Sequence, residues 1–279
     1  MQKDLIDQLV IDFNCKYDSI ESLNINIENH RFKLKGDEYC VVANPILGLE
    51  IWQTPDSILV RSKDFCINRK QDSSEIYFNS KLKATSDIGY GVIRGEVTRL
   101  IRARKLHDAY FYLHAAFVRL DQKNYLIIGN KGTGKTCATL HFLSKGASVF
   151  TDETVIWTSD KIDFIQRSPA LDTVTLNTYF SQLSNLVWRK QKSILNIQKK
   201  NLLKIKLESQ LKDYQISKVF VLTRGNICLN KMQMLKLVAK QFGTGELSVN
   251  STAIAALENL LKCVEVTNIK EIEEGKFDD

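Results

Sequence analysis

Short runs of apolar residues, separated by polar turn-type residues, fill the first hundred positions of the chain. Leu23, Ile25 and Ile27 alternate with polar neighbours, which is the period of a half-buried β-strand. Similar short runs predict further strands at 32–34, 39–42, 49–52, 58–60, 65–67 and 76–78. Apolar positions at a helical period then predict a helix over 96–106. The pattern indicates a β-rich N-terminal domain covering residues 1–105.

Beyond this domain, strand patterns and helix patterns follow one another. Residues 110–120 predict one long strand, and turn-type residues at 121–124 join it to a short apolar strand over 125–128. A helix is predicted over 136–144, where Lys145-Gly146 ends it. Further strands are predicted at 147–150, 218–223 and 264–266, and further helices at 231–242 and 247–261. The predicted fold class is α/β, with residues 106–279 forming a domain whose mixed β-sheet is flanked by helices.

The segment between the short strand and the helix at 136–144 reads Gly-Asn-Lys-Gly-Thr-Gly-Lys-Thr and fits G-x-x-x-x-G-K-[ST], the phosphate-binding P-loop. Its glycines let successive backbone N–H groups turn toward an anion. Lys135 would reach the outer phosphates, and the Thr136 hydroxyl is placed to bind Mg²⁺. The helix N-terminus then points at the phosphates. The residues predicted to contact ATP are Gly129, Asn130, Lys131, Gly132, Thr133, Gly134, Lys135, Thr136 and Cys137. A glycine-rich turn that binds nothing is the alternative.

A histidine is predicted to lie beside this loop. If Leu120 faces Tyr125 across a hairpin, antiparallel pairing places His114 next to Lys131. A single histidine in a buried strand is more commonly a core residue, so that alternative stays open.

Two adjacent acids, Asp152 and Glu153, follow the strand predicted after the P-loop helix. That is where a P-loop enzyme holds its Mg²⁺ and orients its nucleophile. Two adjacent acids form a solvated turn in most proteins, but the position after the strand favours a functional site.

His114, the loop at 129–136 and the Asp152-Glu153 pair together resemble the kinase domain of the HPr serine kinase/phosphorylase family, whose P-loop superfamily includes phosphoenolpyruvate carboxykinase. The family has a histidine before the P-loop, a helix that ends in glycine, and an Asp-Asp pair closing the next strand. The resemblance covers residues 109–160. Glu153 stands where the family has its second aspartate, and the family signature for phosphorolysis and HPr recognition is not found in the later half. The pattern thus more closely resembles that of divergent HPr-kinase-like enzymes encoded with ribosomal peptide clusters.

The resemblance implies an ATP-dependent kinase that transfers the γ-phosphoryl group to a hydroxyl, most often serine, of a protein or peptide. Lys135 would hold the phosphates, while Thr136 and Glu153 bind Mg²⁺ directly or through water. Asp152, also at the metal, would accept the proton of the acceptor hydroxyl. His114 would lie by the transferred group or tune Asp152. The alternatives are a nucleotide-binding regulator or a degenerate ATPase that uses the same fold as a switch, and carboxykinase chemistry, for which no second metal site is recognisable.

Positive charge is concentrated at residues 189–218, which hold nine Lys or Arg against Glu208 and Asp213 in a chain of net charge +7. Apolar residues are interleaved with these charges. Both a solvated basic face and a docking surface for an acidic peptide or protein acceptor fit this pattern. Aromatic residues are nearly absent, which disfavours a groove for single-stranded nucleic acid. No nucleic-acid partner is therefore predicted.

Cysteine spacing and apolar run lengths predict a cytoplasmic protein. The six cysteines lie far apart without a C-x-x-C pair, which disfavours a disulfide framework or a zinc site. Charged residues among the first ten positions disfavour a signal peptide, and the longest nearly uncharged run, 109–118, is shorter than a membrane span. No membrane partner is predicted. The oligomeric state is left open, with a homo-oligomer as one alternative.

Overall fold

A computed structural model of the chain describes residues 1, 3–30, 32, 39–44, 49–79, 82–107, 109–130, 132–158, 161–192, 199–208, 215–223, 233, 238, 242–244, 251–268 and 272. Within them the fold is mixed α/β. Contacts divide the chain into two compact units, Met1–Arg104 with Ala170–Lys204 and Lys105–Pro169 with Ile205–Asp279. The sequence placed the whole of 106–279 in one domain. The units differ from that division because Trp188 and Leu202 pack into the core of the first unit.

The first unit is built on a six-stranded sheet. Its strands are β1 (Asn24–Glu28), β2 (Tyr39–Asn44), β3 (Leu49–Gln53), β4 (Ile58–Ser62), β5 (Phe65–Arg69) and β6 (Ser73–Phe78). They lie in the order β1-β6-β5-β4-β3-β2, with β1 parallel to β6 and the other neighbours antiparallel. The strands predicted from 39 to 78 are confirmed, whereas the one at 32–34 falls mostly outside the described residues.

Helices cover one face of this sheet. They are α1 (Lys3–Phe13), α2 (Tyr17–Glu21) and α3 (Asp87–Leu106). Leu9 of α1 and Tyr90 of α3 pack with Ile67 and Ile76 of the sheet in one buried cluster. The helix predicted at 96–106 is confirmed, and it begins earlier, at Asp87.

The second unit begins at the strands around the P-loop. In chain order its elements are β7 (Ala109–Leu113), β8 (Ala116–Leu120), β9 (Lys123–Gly129), α4 (Lys135–Ser144), β10 (Ser148–Thr151), β11 (Thr154–Thr158) and β12 (Ile162–Ile165). The single strand predicted over 110–120 is wrong, because the chain bends at His114 and its two halves enter different sheets. Both halves are mainly apolar, as strands buried on both faces are, so the run gives no sign of where it changes sheet.

Residues 170–204 return to the first unit. They form β13 (Ala170–Asp172), α5 (Thr173–Tyr179), a 3-10 helix (Ser181–Leu186), β14 (Val187–Lys192) and β15 (Lys199–Leu203). The three strands make an antiparallel sheet in the order β13-β15-β14. Asp172 begins α5 by accepting the backbone N–H of Thr175 at 2.8 Å, as N-cap residues do.

The last elements complete the second unit. They are β16 (Lys218–Thr223), β17 (Phe242–Thr244), α6 (Ser251–Lys262) and β18 (Val264–Asn268). One sheet has the order β10-β8-β9-β16-β18 and the other β12-β11-β7-β17. Because β9, β16 and β18 are parallel and β8 and β10 antiparallel to their neighbours, the five-stranded sheet is mixed, as predicted. Predictions at 218–223, 247–261 and 264–266 are confirmed in their described parts, whereas the helix at 231–242 lies mostly outside the described residues.

The P-loop strand β9 lies in the middle of three layers. Tyr125 and Ile127 pack against Phe142 of α4 on one side. Leu126 and Ile128 pack on the other side in the core shared with the four-stranded sheet. A strand buried on both faces holds the loop that follows it in a fixed place. No helix in the described ranges combines the length and apolar character needed to cross a lipid bilayer.

Candidate phosphate and metal site

The structure requires glycine at three positions, which are Gly129 at the end of β9 and Gly132 and Gly134 in the loop that follows. Gly132 and Gly134 have φ angles of 81° and 101°, in the left-handed region that favours glycine, and Gly134 directly precedes α4. A Cβ on Gly129 would lie 2.4 Å from Thr133 Oγ1 and 3.1 Å from the Leu222 carbonyl oxygen. The loop therefore has the tight backbone that a phosphate-binding loop needs.

Hydrogen bonds within the loop hold it closed. Thr133 donates its hydroxyl to the Asn130 carbonyl at 2.8 Å. The half-buried Lys135 donates its Nζ to the Gly129 carbonyl at 2.7 Å. Burial lowers the pKa of Lys135, while the carboxylates of Asp152 and Glu153 act in the opposite direction. A cation thus lies on the loop with two acids within electrostatic range.

Asp152 lies in the turn between β10 and β11 and contacts the first turns of α4. Thr136 donates its hydroxyl to Asp152 Oδ2 at 2.7 Å, and the Thr139 hydroxyl lies 3.2 Å from Oδ1 and 3.0 Å from the Lys135 carbonyl. Burial raises the pKa of Asp152, as does the charge of Glu153, and the Thr136 and Thr139 hydrogen bonds only partly offset this. Sequence reasoning did not identify Thr139. Its spacing from Thr136, one helical turn, was the available signal.

Glu153 has different partners from Asp152. Its carboxylate is ion-paired with Arg167, and its side chain is 5% exposed. Its backbone carbonyl lies 2.7 Å from Nδ1 of His114. The contact with Thr136 is made by Asp152, and the expectation that Glu153 binds Mg²⁺ stays a prediction.

His114 lies beside the acid pair, but the strand pairing that places it there differs from the predicted pairing. The hairpin register is wrong, because Leu120 pairs with Lys123 instead of Tyr125. His114 lies between β7 and β8, and since a carbonyl can only accept, its Nδ1 carries the proton in the bond to Glu153. Burial lowers the pKa of His114, as do the positive charges of Lys135 and Arg167, while Glu153 raises it. The net shift of the pKa is downward, so the neutral ring is favoured. Lys131 lies outside the described residues.

Arg167 was not identified from the sequence. It follows β12, which pairs with β11 so that Ile165 lies opposite Thr154, and this register brings the chain after β12 alongside the acid pair. Gln166 fixes the same segment by donating its Nε2 to the Phe150 carbonyl at 3.1 Å. A single arginine in a loop carries no sequence signal for this position, because the pairing of β12 with β11 is a tertiary feature.

The oxygen atoms of Thr136 and Asp152 are of the type that Mg²⁺ binds. Magnesium prefers hard oxygen ligands and is usually held by one or two carboxylates together with substrate phosphates and water. Within the described ranges there is no group of three or more His, Cys, Asp or Glu that could enclose a metal ion. A phosphate-assisted magnesium site does not need such a group. Cys137, predicted to contact the nucleotide, is half-buried in the first turn of α4.

The basic segment 189–218 is divided between the two units, and its described residues belong to β14, β15, the start of β16 and the non-strand stretches 204–208 and 215–217. Arg189 stacks over the ring of Tyr90 at 3.9 Å, so this cation packs within the first unit. Lys190 and Lys204 are exposed in the same unit. Residues 193–198 and 209–214 of the segment lie outside the described residues. An acidic partner for this segment remains a prediction.

Comparison with known proteins adds no family assignment, because neither a protein-family model nor a curated protein sequence matches the chain. The functional argument therefore depends on the geometry and chemistry of the site.

Proposed function

We propose that this chain is a P-loop kinase of the HPr-kinase-like type, which transfers the γ-phosphoryl group of Mg-ATP to a hydroxyl, serine in the first instance, of a protein or peptide. The observation that carries the proposal is the 2.7 Å hydrogen bond from Thr136 to Asp152. It joins the P-loop hydroxyl that would bind Mg²⁺ to an acid at the end of β10, the next strand along the chain, and such a pair of groups is what P-loop enzymes use to hold the metal.

Positioning of the phosphates is assigned to the loop and to Lys135. The left-handed conformations at Gly132 and Gly134 turn the backbone at the start of α4, where the helix dipole favours an anion. Lys135 is held at the Gly129 carbonyl by one hydrogen bond and would exchange that bond for phosphate oxygens. Bound Mg²⁺ would supply charge neutralisation at the β- and γ-phosphate oxygens, with Thr136 and Asp152 as its protein ligands.

Proton transfer is assigned to Asp152. It would accept the proton of the acceptor hydroxyl, and it acts only while ionised. The neutral His114 ring fixes the backbone of the adjacent Glu153 through its Nδ1 and leaves the transfer itself to Asp152.

The acceptor is proposed to be an acidic peptide or protein segment that binds the exposed lysines of the first unit. Replacing Lys190 and Lys204 by Gln should raise the KM for such a peptide and weaken its salt dependence, while the KM for ATP stays unchanged. If the KM for the peptide and its salt dependence do not change, these lysines belong to a solvated surface that does not bind the acceptor.

A nucleotide-binding regulator is the second candidate. It is favoured by one observation: both carboxylate oxygens of Asp152 already have hydroxyl partners on α4, Thr136 and Thr139. An acid held in this way is suited to sensing Mg-nucleotide without transferring a proton.

Incubation of the full chain with Mg-ATP and serine peptides, acidic and neutral, separates the two candidates. A kinase should add one phosphate to a peptide, seen by mass spectrometry, and release ADP only when the acceptor is present. A regulator should bind ADP and ATP in a calorimetric titration without forming product. The Lys135→Ala variant is the control for both readouts. No nucleotide binding by the unmodified protein would overturn the P-loop assignment.

A further inference from the structure

Arg167 is a cation of the site that the P-loop motif does not include. Its guanidinium pairs with the carboxylate of Glu153, whose side chain is 5% exposed, while the side chain of Arg167 is 29% exposed. A buried carboxylate that lacks a cation is strongly unfavourable. The ion pair therefore determines where the Glu153 side chain lies.

The backbone around the acid pair is held as well. Thr151 accepts the N–H of Glu153 at 2.9 Å, and the Glu153 carbonyl accepts from His114 at 2.7 Å. With this backbone fixed, Asp152 contacts the hydroxyls of α4 and Glu153 contacts Arg167. The two adjacent acids consequently have separate partners.

Charge is the property that Arg167 controls. Lys135 and Arg167 both act electrostatically on His114, and Glu153 acts on Lys135 and on Asp152, so these groups share one electrostatic environment. A phosphate on the loop would enter the same environment. An unneutralised Glu153 would repel it, and an unpaired Arg167 would attract it.

We propose that Arg167 is a positioning residue of the nucleotide site, which neutralises Glu153 so that Asp152 alone sets the negative charge beside Thr136. This inference rests on the proposed nucleotide site. Its consequence is that, when the nucleotide binds, Mg²⁺ has to offset the negative charge of one carboxylate, Asp152, and not of two. Arg167 acts through Glu153 and is not assigned a contact with the nucleotide.

ADP affinity, measured by calorimetry with saturating Mg²⁺ and with a chelator, tests the proposal on the full chain. Arg167→Gln should weaken metal-free ADP binding about three- to thirtyfold, the range expected for one unit charge at interior distances. Glu153→Gln should strengthen it by a similar factor, and the double variant should return toward the unmodified protein. Mg²⁺ should recover most of the loss in Arg167→Gln. Arg167→Lys keeps the charge and should stay within about threefold of the unmodified protein.

Equal weakening by Arg167→Gln with Glu or with Gln at position 153 would mean that Arg167 contacts the nucleotide directly, which overturns the proposal. Identical ADP affinities in all folded variants would overturn it too, since the pair would then be structural only. Thermal unfolding checks that each variant folds. If Arg167→Gln does not fold, the proposal is still tested by two results. Glu153→Gln should bind ADP more tightly without Mg²⁺, and the double variant should reverse that gain. Absence of ADP binding in the unmodified protein, with Lys135→Ala no different, overturns the nucleotide site and this inference together.

Discussion

Replacement of Asp152 by Asn separates a catalytic base from a metal ligand. The amide keeps the size of the side chain and one acceptor oxygen, but it cannot take a proton. Because the amide oxygen can still bind Mg²⁺ beside Thr136, Mg-ATP binding should survive while phosphoryl transfer falls if Asp152 is the base. Because the base acts only when ionised, transfer by the unmodified protein should decline in acid as Asp152 becomes protonated.

The structural cost of Asp152→Asn can be worked from its contacts. The carboxylate accepts from Thr136 at 2.7 Å and lies 3.2 Å from the Thr139 hydroxyl, and an amide has one acceptor for these two donors. One lost buried partner costs about 1–3 kcal/mol. Thr139 keeps the Lys135 carbonyl at 3.0 Å, which places the cost near 1 kcal/mol. Removal of a partly buried charge offsets part of it, so the variant should fold.

The catalytic effect should be larger than this structural cost. General base catalysis contributes about 10²–10⁴ in rate, which corresponds to roughly 2.7–5.4 kcal/mol at 1.36 kcal/mol per tenfold. Single-turnover transfer to a peptide should therefore fall by that factor in Asp152→Asn, while the Kd for Mg-ATP changes less than about tenfold.

Glu153→Gln is the matched control, since it removes the neighbouring charge and leaves Asp152 intact. Both variants should be assayed for Mg-ATP affinity and for single-turnover transfer over a range of Mg²⁺ concentrations. Defects of equal size in the two variants, both restored by added Mg²⁺, would refute the assignment of Asp152 as base and make the acids metal ligands only.

Three further predictions test the loop and the core of the first unit. Lys135→Ala should weaken ADP binding at least tenfold and abolish transfer, because it removes the cation on the loop; transfer by a folded variant would contradict the P-loop mechanism. Gly129→Ala should weaken ADP binding and lower the free energy of unfolding by about 1–3 kcal/mol, because its Cβ would lie 3.1 Å from the Leu222 carbonyl; unchanged denaturant midpoints would refute this. Glu96→Gln should cost about 1–3 kcal/mol at neutral pH, because it removes the buried carboxylate to which Arg69 and Arg99 donate. Burial alone would raise the pKa of Glu96, but the bonds and charge of Arg69 lower it; the stabilisation is therefore complete above about pH 4.5 and lost as the pH falls through the lowered pKa. Urea unfolding of the unmodified protein and of Glu96→Gln at several pH values should show that the difference between their free energies of unfolding shrinks in acid.

Local sequence patterns were enough to predict the elements around the site. The features that they did not predict depend on pairing between residues far apart in the chain. The loop at 129–136 and the acids after β10 follow one another closely in the chain, so a motif and a strand pattern were enough to place them. The pairing of β8 with β9 was shifted by two residues, because the turn after Leu120 is tighter than the four polar residues suggest. Asp121 and Gln122, both with positive φ, form it.

Arg167 and the segment 170–204 were missed for a similar reason. An isolated arginine acquires its place only when β12 pairs with β11, and periodicity within one segment does not report such a pairing. Trp188 and Leu202 are apolar residues in a basic segment, which reads equally well as a surface. Their core is supplied by residues between Leu5 and Leu100, far earlier in the chain.

The discontinuity of the first unit has a consequence for synthesis. Leu202 is fully buried in the same cluster as Leu9 and Ile67, yet a ribosome releases it after β1–β6, the P-loop and the acid pair have all emerged. Domains usually fold as units in the order of synthesis. Until residues 170–204 have been synthesised, residues 1–104 lack part of their core, and by then most of the proposed nucleotide site has been translated. Chaperones would meet that nascent surface during the delay, and a recombinant fragment ending near residue 105 would keep it permanently.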